Sequence, residues 1–127
     1  MAIEKFDPAE INWDAEFIVY GEPASKANSR KIVKFGNRPA SIKSDKARTY
    51  LTTFGLFCPL LKPLLEGDIL VAIEIFYFSR RPDLDESLIL DAMEGLIYKN
   101  DRQVKRKFIY HNLDKINPRA EIKIARL

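Results

Sequence analysis

Short hydrophobic and β-rich segments, separated by Gly, Pro, Ser and Asn, divide the chain into predicted strands. In chain order these strands are residues 16–20, 30–35, 40–43, 68–78, 104–111 and 120–127. The segment 68–78, DILVAIEIFYF, has the strongest β-branched and aromatic character. Such composition is typical of a strand buried on both faces, so this strand is predicted to lie at the centre of a sheet.

Two stretches with helical spacing lie between these strands. Ser44 is a predicted N-cap, Asp45 begins the first helix and Pro59 ends it. Its side chains expected in the core are Tyr50, Leu51, Phe54 and Phe57. A second helix is predicted over residues 86–97, with Gly95 near its end, and residues 98–102 are predicted to form a polar loop.

This order of elements predicts an α+β (α/β) fold, in which two main helices pack on one face of a mixed sheet. The length of 127 residues and an apolar content of 46% predict one compact domain with a core of its own, after a loose lead-in at residues 1–14. Cys58 is the only cysteine, which excludes an intrachain disulfide, and its apolar neighbours predict a buried packing residue.

The N-terminal sequence lacks the pattern of a secretory signal, and the longest apolar run, residues 50–61, is too short to cross a bilayer. We therefore expect a soluble, cytoplasmic protein.

Charge is distributed unevenly along the chain. The net charge is +3, yet residues 1–25 carry six acids against one base, and residues 26–48 carry eight bases against one acid. A second basic cluster occupies residues 99–107. Any one such cluster is typically a solvated face. Two of them beside grouped carboxylates favour a polyanionic partner such as DNA.

Carboxylates are grouped around residues 80–101. Asp83 and Asp85 follow Pro82 in a segment expected to be extended, where residues two apart point to the same side. Both can therefore meet one cation at the end of the central strand, and Asp101 is expected to return to the same end of the sheet. A few hard oxygen ligands with room for water and phosphate oxygens suit Mg²⁺, an ion that can polarise a phosphoryl oxygen and generate hydroxide near neutral pH.

A purely structural interpretation of the same residues stays open. Asp85 can cap the second helix, Asp83 can be a favourable charge at its N-terminus, and Asp91 can be a solvated helix residue. His111 is the only histidine, which gives nucleophilic Ser–His or Cys–His catalysis little support. The sequence has no glycine-rich phosphate loop, so no nucleotide cofactor is expected.

Several motifs together resemble the RusA-type Holliday junction resolvases, small endodeoxyribonucleases common in phages and prophages. The motifs are the segment GEPASKANSR from Gly21, RPDLDES, LILDAM and NDRQV, in that order. The resemblance implies a Mg²⁺-dependent homodimer, with Mn²⁺ as an alternative ion, that resolves four-way DNA junctions in recombination and repair. It also implies a cytoplasmic location, in a bacterium or a phage-infected host, and no membrane partner.

The resemblance also implies site residues. It assigns catalysis and metal binding to Asp83, Asp85 and Asp101, with Asp91 as a further metal ligand or supporting residue. Phosphate contacts are expected from surrounding basic residues: Lys26, Arg30, Lys31, Lys43, Arg80, Arg81, Lys99, Arg102, Lys105 and Lys107.

Two positions depart from the family pattern. Glu86 replaces the usual Asn after the second Asp. The stretch from Asp85 to Asp91 is two residues shorter than in members with an N-x-x-K segment and lacks their helix lysine, and Ile89 stands four residues after Asp85. Lys26, Lys43 or Lys99 is the hypothetical replacement for that cation. Two other interpretations remain: a non-cleaving module that binds branched or single-stranded DNA, and a small structural protein without a metal. Phe35 is expected to be buried packing unless it contacts bases.

Overall fold

The central strand of the main sheet carries more buried side chains than any other described strand or helix. A computed structural model describes residues 8–24, 29–79 and 86–127, and within these ranges it contains six strands and two α-helices. Their bounds are β1 Ala15–Tyr20, β2 Arg30–Phe35, β3 Arg38–Lys43, α1 Asp45–Phe57, β4 Ile69–Tyr77, α2 Glu86–Met93, β5 Val104–Leu113 and β6 Arg119–Arg126. All six predicted strands and both predicted helices are therefore found.

The main sheet has four strands in the order β1-β6-β4-β5. β4 pairs in parallel with β5 and antiparallel with β6, so that Ile73 faces Ile109 on one side and Ile122 on the other. β1 pairs antiparallel with β6 and closes the opposite edge. The predicted central position of β4 is confirmed, since the first five residues of the strand are all buried.

Both helices pack on one face of this sheet. Alternate side chains of β4, from Ile69 to Ile75, share one core with Phe54 of α1 and Met93 of α2. Phe17 of β1 meets Phe54 edge to face, with ring centroids 5.7 Å apart. Two helices on a mixed sheet confirm the predicted α+β fold. No helix in the described part of the chain is long and apolar enough to span a membrane.

A separate hairpin of β2 and β3 forms the second sheet. The strands pair antiparallel from Arg30–Lys43 to Phe35–Arg38, around a turn in which Gly36 has φ +63°. β3 begins two residues earlier than predicted. The strand can include Pro39 because this residue pairs with Lys34 at a position where no backbone N–H is needed as a hydrogen-bond donor. Neither strand packs broadly on any other described helix or strand. We call residues 30–43 the basic hairpin.

The predicted boundaries of α1 are confirmed. The Ser44 side chain accepts a hydrogen bond from the Ala47 N–H at 3.1 Å, and the helix ends just before Pro59. Tyr50 and Phe54 are buried as expected, whereas Phe57 remains partly exposed and packs on Tyr20.

The prediction for Cys58 is also confirmed, because the side chain is buried in the core next to α1. Burial raises the pKa of the Cys58 thiol to about 12. The thiol is therefore protonated at neutral pH, as expected of a packing residue and not of a reactive nucleophile.

Two predictions after β4 are wrong. α2 ends at Met93 and not at residue 97, because Gly95 adopts φ +81° and turns the chain out of the helix. The segment 98–102 is not a wholly polar loop, since Tyr98 is fully buried. Both differences arise from one compact turn, which also assembles the candidate site.

Candidate functional site

The chain folds back on itself directly after α2. The Met93 carbonyl accepts hydrogen bonds from the N–H groups of Leu96 at 3.1 Å and Ile97 at 2.9 Å. The Gly95 N–H donates to the Tyr98 carbonyl at 2.7 Å. Met93, Ile97 and Tyr98 are completely buried. The turn is therefore attached to the core by its apolar side chains, which leaves its polar side chains at the surface.

The second half of this turn is held by Gln103. Its side-chain oxygen accepts hydrogen bonds from the Lys99 and Asn100 N–H groups, both at 3.1 Å. Its side-chain nitrogen donates to the carbonyls of Leu65 at 2.9 Å and Gly67 at 3.0 Å. One amide side chain thus anchors the turn to the segment before β4. We call residues 91–103 the acidic turn.

Three carboxylates meet on the acidic turn. Asp91, Glu94 and Asp101 each offer an oxygen, and these oxygens lie within 4.8 Å of one another, open to solvent. Glu94 also accepts a hydrogen bond from the Asp101 N–H at 2.9 Å, which fixes the two residues relative to each other. Carboxylate oxygens converging on one point are the donor set of a hard divalent cation such as Mg²⁺.

Buried Tyr98 lies beneath the three carboxylates. Its hydroxyl donates to the Leu90 carbonyl at 2.5 Å, one residue before Asp91. Burial raises the pKa of Tyr98 well above its usual value, and the negative charges of Asp101, Glu94 and Asp91 raise it further. Tyr98 therefore remains a protonated donor beneath the three grouped carboxylates.

The structure brings together two of the four aspartates predicted as site residues, Asp91 and Asp101. Asp83 and Asp85 lie outside the described residues, so their predicted part in the site stays a prediction. Glu94 was not predicted. It stands three residues after Asp91, a spacing that places both side chains on neighbouring helical positions, and this spacing was the available signal.

The expected location of Asp101 was wrong. Asp101 precedes β5, whose first residue, Val104, pairs with Ile69 at the beginning of β4. Asp101 therefore lies near the end of the sheet at which β4 begins, and not near the end at which β4 finishes. The parallel pairing of β4 with β5 requires this location. The crossover through α2 has to return the chain to the end of the sheet where β4 begins, so that β5 can run in the same direction.

The two departures from the family pattern lie at the beginning of α2. Glu86 is its first residue and is half-buried. Ile89 is completely buried and belongs to the same core as Ile73. A lysine at position 89 would bury an unpaired ammonium in this core at a large cost in free energy. In this chain, a buried apolar residue of the core therefore stands where other members of the family carry the helix lysine.

The basic hairpin carries five bases and no acid within residues 30–43. Arg30 donates to the side chain of Ser41 at 2.9 Å and to its carbonyl at 2.7 Å, and Lys31 pairs with Asp45 at 3.2 Å. Both remain exposed, whereas Lys43 is half-buried. Lys34 and Arg38 are also exposed and join the predicted residues of this surface, although neither was predicted individually.

A second basic surface surrounds the acidic turn and the edge strand β5. Lys99 and Arg102 are exposed within the turn on either side of Asp101, and Lys105 and Lys107 are exposed on β5. The remaining predicted phosphate contacts, Lys26, Arg80 and Arg81, lie outside the described residues. Cations around grouped carboxylates suit a polyanion held across a metal site.

The chain was compared with known protein families and with curated proteins. Residues 21–125 match the family model described as Endodeoxyribonuclease RusA, a range that includes the acidic turn, the basic hairpin and the whole of β4. No curated protein matches the chain.

Proposed function

This chain belongs to the RusA endodeoxyribonuclease family, and from that premise we propose that it resolves four-way DNA junctions by paired, Mg²⁺-dependent phosphodiester hydrolysis. Such resolution is a step of DNA recombination and repair. The observation that carries the proposal is the convergence of Asp91, Glu94 and Asp101 on one point of the acidic turn.

These three residues fit a divalent cation. Their oxygens are hard donors within 4.8 Å of one another, and Glu94 can accept the Asp101 N–H through one oxygen while the other faces the ion. Mg²⁺ bound here would polarise a phosphoryl oxygen and lower the pKa of a bound water, with Mn²⁺ as an alternative ion. Asp83 and Asp85 remain further candidate ligands because the family motif assigns them, and Asp85→Asn below tests this assignment.

Each part of the chain has a distinct role in this proposal. Asp101 and Asp91 hold the ion, and Glu94 and Gln103 orient the backbone that carries Asp101. The basic hairpin and the cations at Lys99, Arg102, Lys105 and Lys107 bind phosphates and thereby offset the repulsion between DNA and the carboxylates. Phosphate contacts position the junction without reading its sequence.

The cation missing from α2 has to come from another position, because Ile89 is part of the core. Lys99 is the best-supported replacement among the residues suggested by the sequence, since it is exposed on the acidic turn two residues before Asp101. Lys99→Ala should then reduce the cleavage rate more than Lys105→Ala, a matched change on β5. Equal rates in the two variants would remove this assignment.

Paired cuts require two sites, and we propose that a homodimer supplies them. Leu56 near the end of α1 is 79% exposed and lies near partly exposed Phe57 and Leu60, which makes this helix end an apolar surface able to bind a second copy. Leu56→Lys should shift the mass measured by light scattering from dimer to monomer. A wild type that is already monomeric at micromolar concentration would contradict the dimer.

A second function is favoured by one specific observation. The buried Ile89 at the family's lysine position supports a protein that binds branched or single-stranded DNA without cutting it. Retention of Asp91 and Asp101 in one acidic cluster favours cleavage instead.

Cleavage of an end-labelled four-way junction separates the two functions. The wild type should make symmetrical nicks with Mg²⁺ and none with EDTA. Asp101→Asn and Asp85→Asn should bind the junction without nicking it, and Glu16→Gln, a matched loss of an exposed charge on β1, should cut normally. Tight binding without nicks by the wild type would establish the non-cleaving module.

A further inference from the structure

The tip of the basic hairpin presents an aromatic ring to solvent. Phe35 is the last residue of β2 and is 66% exposed, so its expected role as buried packing is wrong. It pairs directly with Arg38 across the turn, which places both side chains on the same face at the tip. Gly36 at φ +63° allows the turn to be tight, which leaves the ring and the guanidinium as the outermost large side chains.

The charge of the hairpin identifies the chemistry of its partner. Residues 30–43 carry five bases and no acid, and the base that shares the face of Phe35 at the tip is Arg38. An exposed aromatic ring beside a guanidinium, on a hairpin that carries bases and no acid, is poorly suited to an apolar protein surface, where the charges would be desolvated. It is well suited to a nucleic acid, which offers phosphates to the cations and a base face to the ring.

We propose that Phe35 stacks on a base exposed at the branch point of a four-way DNA junction, while Arg38, on the same face of the hairpin, binds a flanking phosphate. This inference rests on the proposed function and extends it to the selection of branched DNA. In a continuous duplex every base is covered by its neighbours, so the ring finds no partner. Base pairs at the crossing point have an open face on which the ring can stack. The ring therefore increases affinity for branched DNA but not for linear DNA.

The neighbouring residue Ile32 supplies a matched control. It is 78% exposed on the same strand, but it stands three positions before Phe35, so it points to the opposite face of the hairpin. It has no ring and does not lie at the tip. Phe35→Ala and Ile32→Ala therefore remove similar exposed apolar groups, and only the first removes the proposed stacking surface.

The test measures affinity for a four-way junction and for a linear duplex of the same arm sequence, in EDTA so that nothing is cut. Phe35→Ala should weaken junction binding roughly tenfold, as expected for the loss of one base–aromatic stack, and leave duplex binding unchanged. Phe35→Trp should retain junction binding, and Ile32→Ala should behave as the wild type.

Photochemical cross-linking gives a readout that a structural role would not produce. A 5-iodouracil base at the branch point should cross-link to the peptide that contains Phe35, and the same base well inside one arm should not. The inference is overturned if Phe35→Ala weakens junction and duplex equally or leaves both unchanged, or if the branch-point base cross-links elsewhere.

The same experiments distinguish this inference from the proposed function. A wild type that nicks junctions, with Phe35→Ala equal to it in junction preference, overturns the role of Phe35 alone. A wild type that neither prefers nor cuts junctions overturns both.

Discussion

The acidic turn and the basic hairpin have opposite charge and opposite construction. The acidic turn is built on buried Met93, Ile97 and Tyr98, and Gln103 anchors it to the segment before β4. The basic hairpin pairs only with itself among the described strands and exposes most of its side chains. One region holds three oxygens within 4.8 Å, whereas the other spreads charge along two strands.

This difference corresponds to two kinds of recognition. An ion such as Mg²⁺ demands near-ideal geometry, so its ligands must be attached to a rigid part of the fold. DNA phosphates are bound through charge that acts over several ångströms, so the residues that contact them need exposure more than rigidity. Changes in the acidic turn should therefore alter catalysis and stability, and changes in the hairpin should alter DNA binding alone.

The largest effect is expected from Asp101→Asn. The change removes the charge of a proposed metal ligand and keeps the shape of the side chain. The activation free energy should rise by about 3 kcal/mol or more, which lowers the cleavage rate about 10²-fold or more. Junction affinity in EDTA should be unchanged. Single-turnover cleavage against a titration of Mg²⁺ measures it. Full activity at high Mg²⁺ would show that Asp101 is not essential to the site.

A pair of changes at Glu94 separates ion binding from positioning. Glu94→Gln keeps an oxygen that accepts the Asp101 N–H but loses the charge, whereas Glu94→Ala loses both. If Glu94 binds the ion, Glu94→Gln should raise the Mg²⁺ concentration for half-maximal cleavage roughly 10–100-fold. Cleavage by Glu94→Gln at normal Mg²⁺, with Glu94→Ala impaired, would assign Glu94 to positioning only.

Removal of the Tyr98 hydroxyl should destabilise the acidic turn, because this hydroxyl attaches the turn to α2. Tyr98→Phe deletes the hydrogen bond to the Leu90 carbonyl in a buried setting, which should cost about 1–3 kcal/mol of unfolding free energy. Thermal unfolding followed by circular dichroism measures this change. Phe35→Ala in the hairpin is the control and should leave the melting temperature unchanged, since the ring is mostly exposed. An equal loss of melting temperature in both variants would contradict the difference in construction between the acidic turn and the basic hairpin.

The smallest effect is expected from Lys34→Ala in the hairpin. Loss of one phosphate contact should weaken binding to junction and duplex alike and reduce the slope of log affinity against log salt concentration by about 1. Binding measured at several salt concentrations tests this. An unchanged slope would mean that Lys34 contacts no phosphate.

Much of the fold could be predicted from the sequence because local signals agreed with tertiary structure. The apolar run of β4 predicted its central position, and Ser44 with Pro59 predicted the limits of α1. The second helix was predicted too long because Leu96 and Ile97 continue its apolar pattern beyond Met93. Gly95 ends it through a left-handed conformation, supported by the hydrogen bond from its N–H to the Tyr98 carbonyl.

The candidate site was harder to predict, because its residues are brought together by strand pairing and by a turn that the local sequence does not reveal. Asp101 was predicted as a ligand from its motif, but its edge of the sheet depends on the parallel alignment of β4 with β5. Glu94 matches no motif and enters the site only because the turn brings it to Asp101. The exposure of Phe35 likewise depends on the hairpin standing apart from the core, which no local pattern reveals.

The most direct test of the central claim is to locate the ion without relying on activity. Mn²⁺ added below stoichiometric amounts to ¹⁵N-labelled protein broadens the amide signals nearest to the bound ion. The account predicts selective broadening at Glu94, Lys99 and Asp101, lost in Asp101→Asn and competed away by Mg²⁺. Sharp signals throughout residues 91–103, with broadening elsewhere in the chain, would contradict a metal site on the acidic turn.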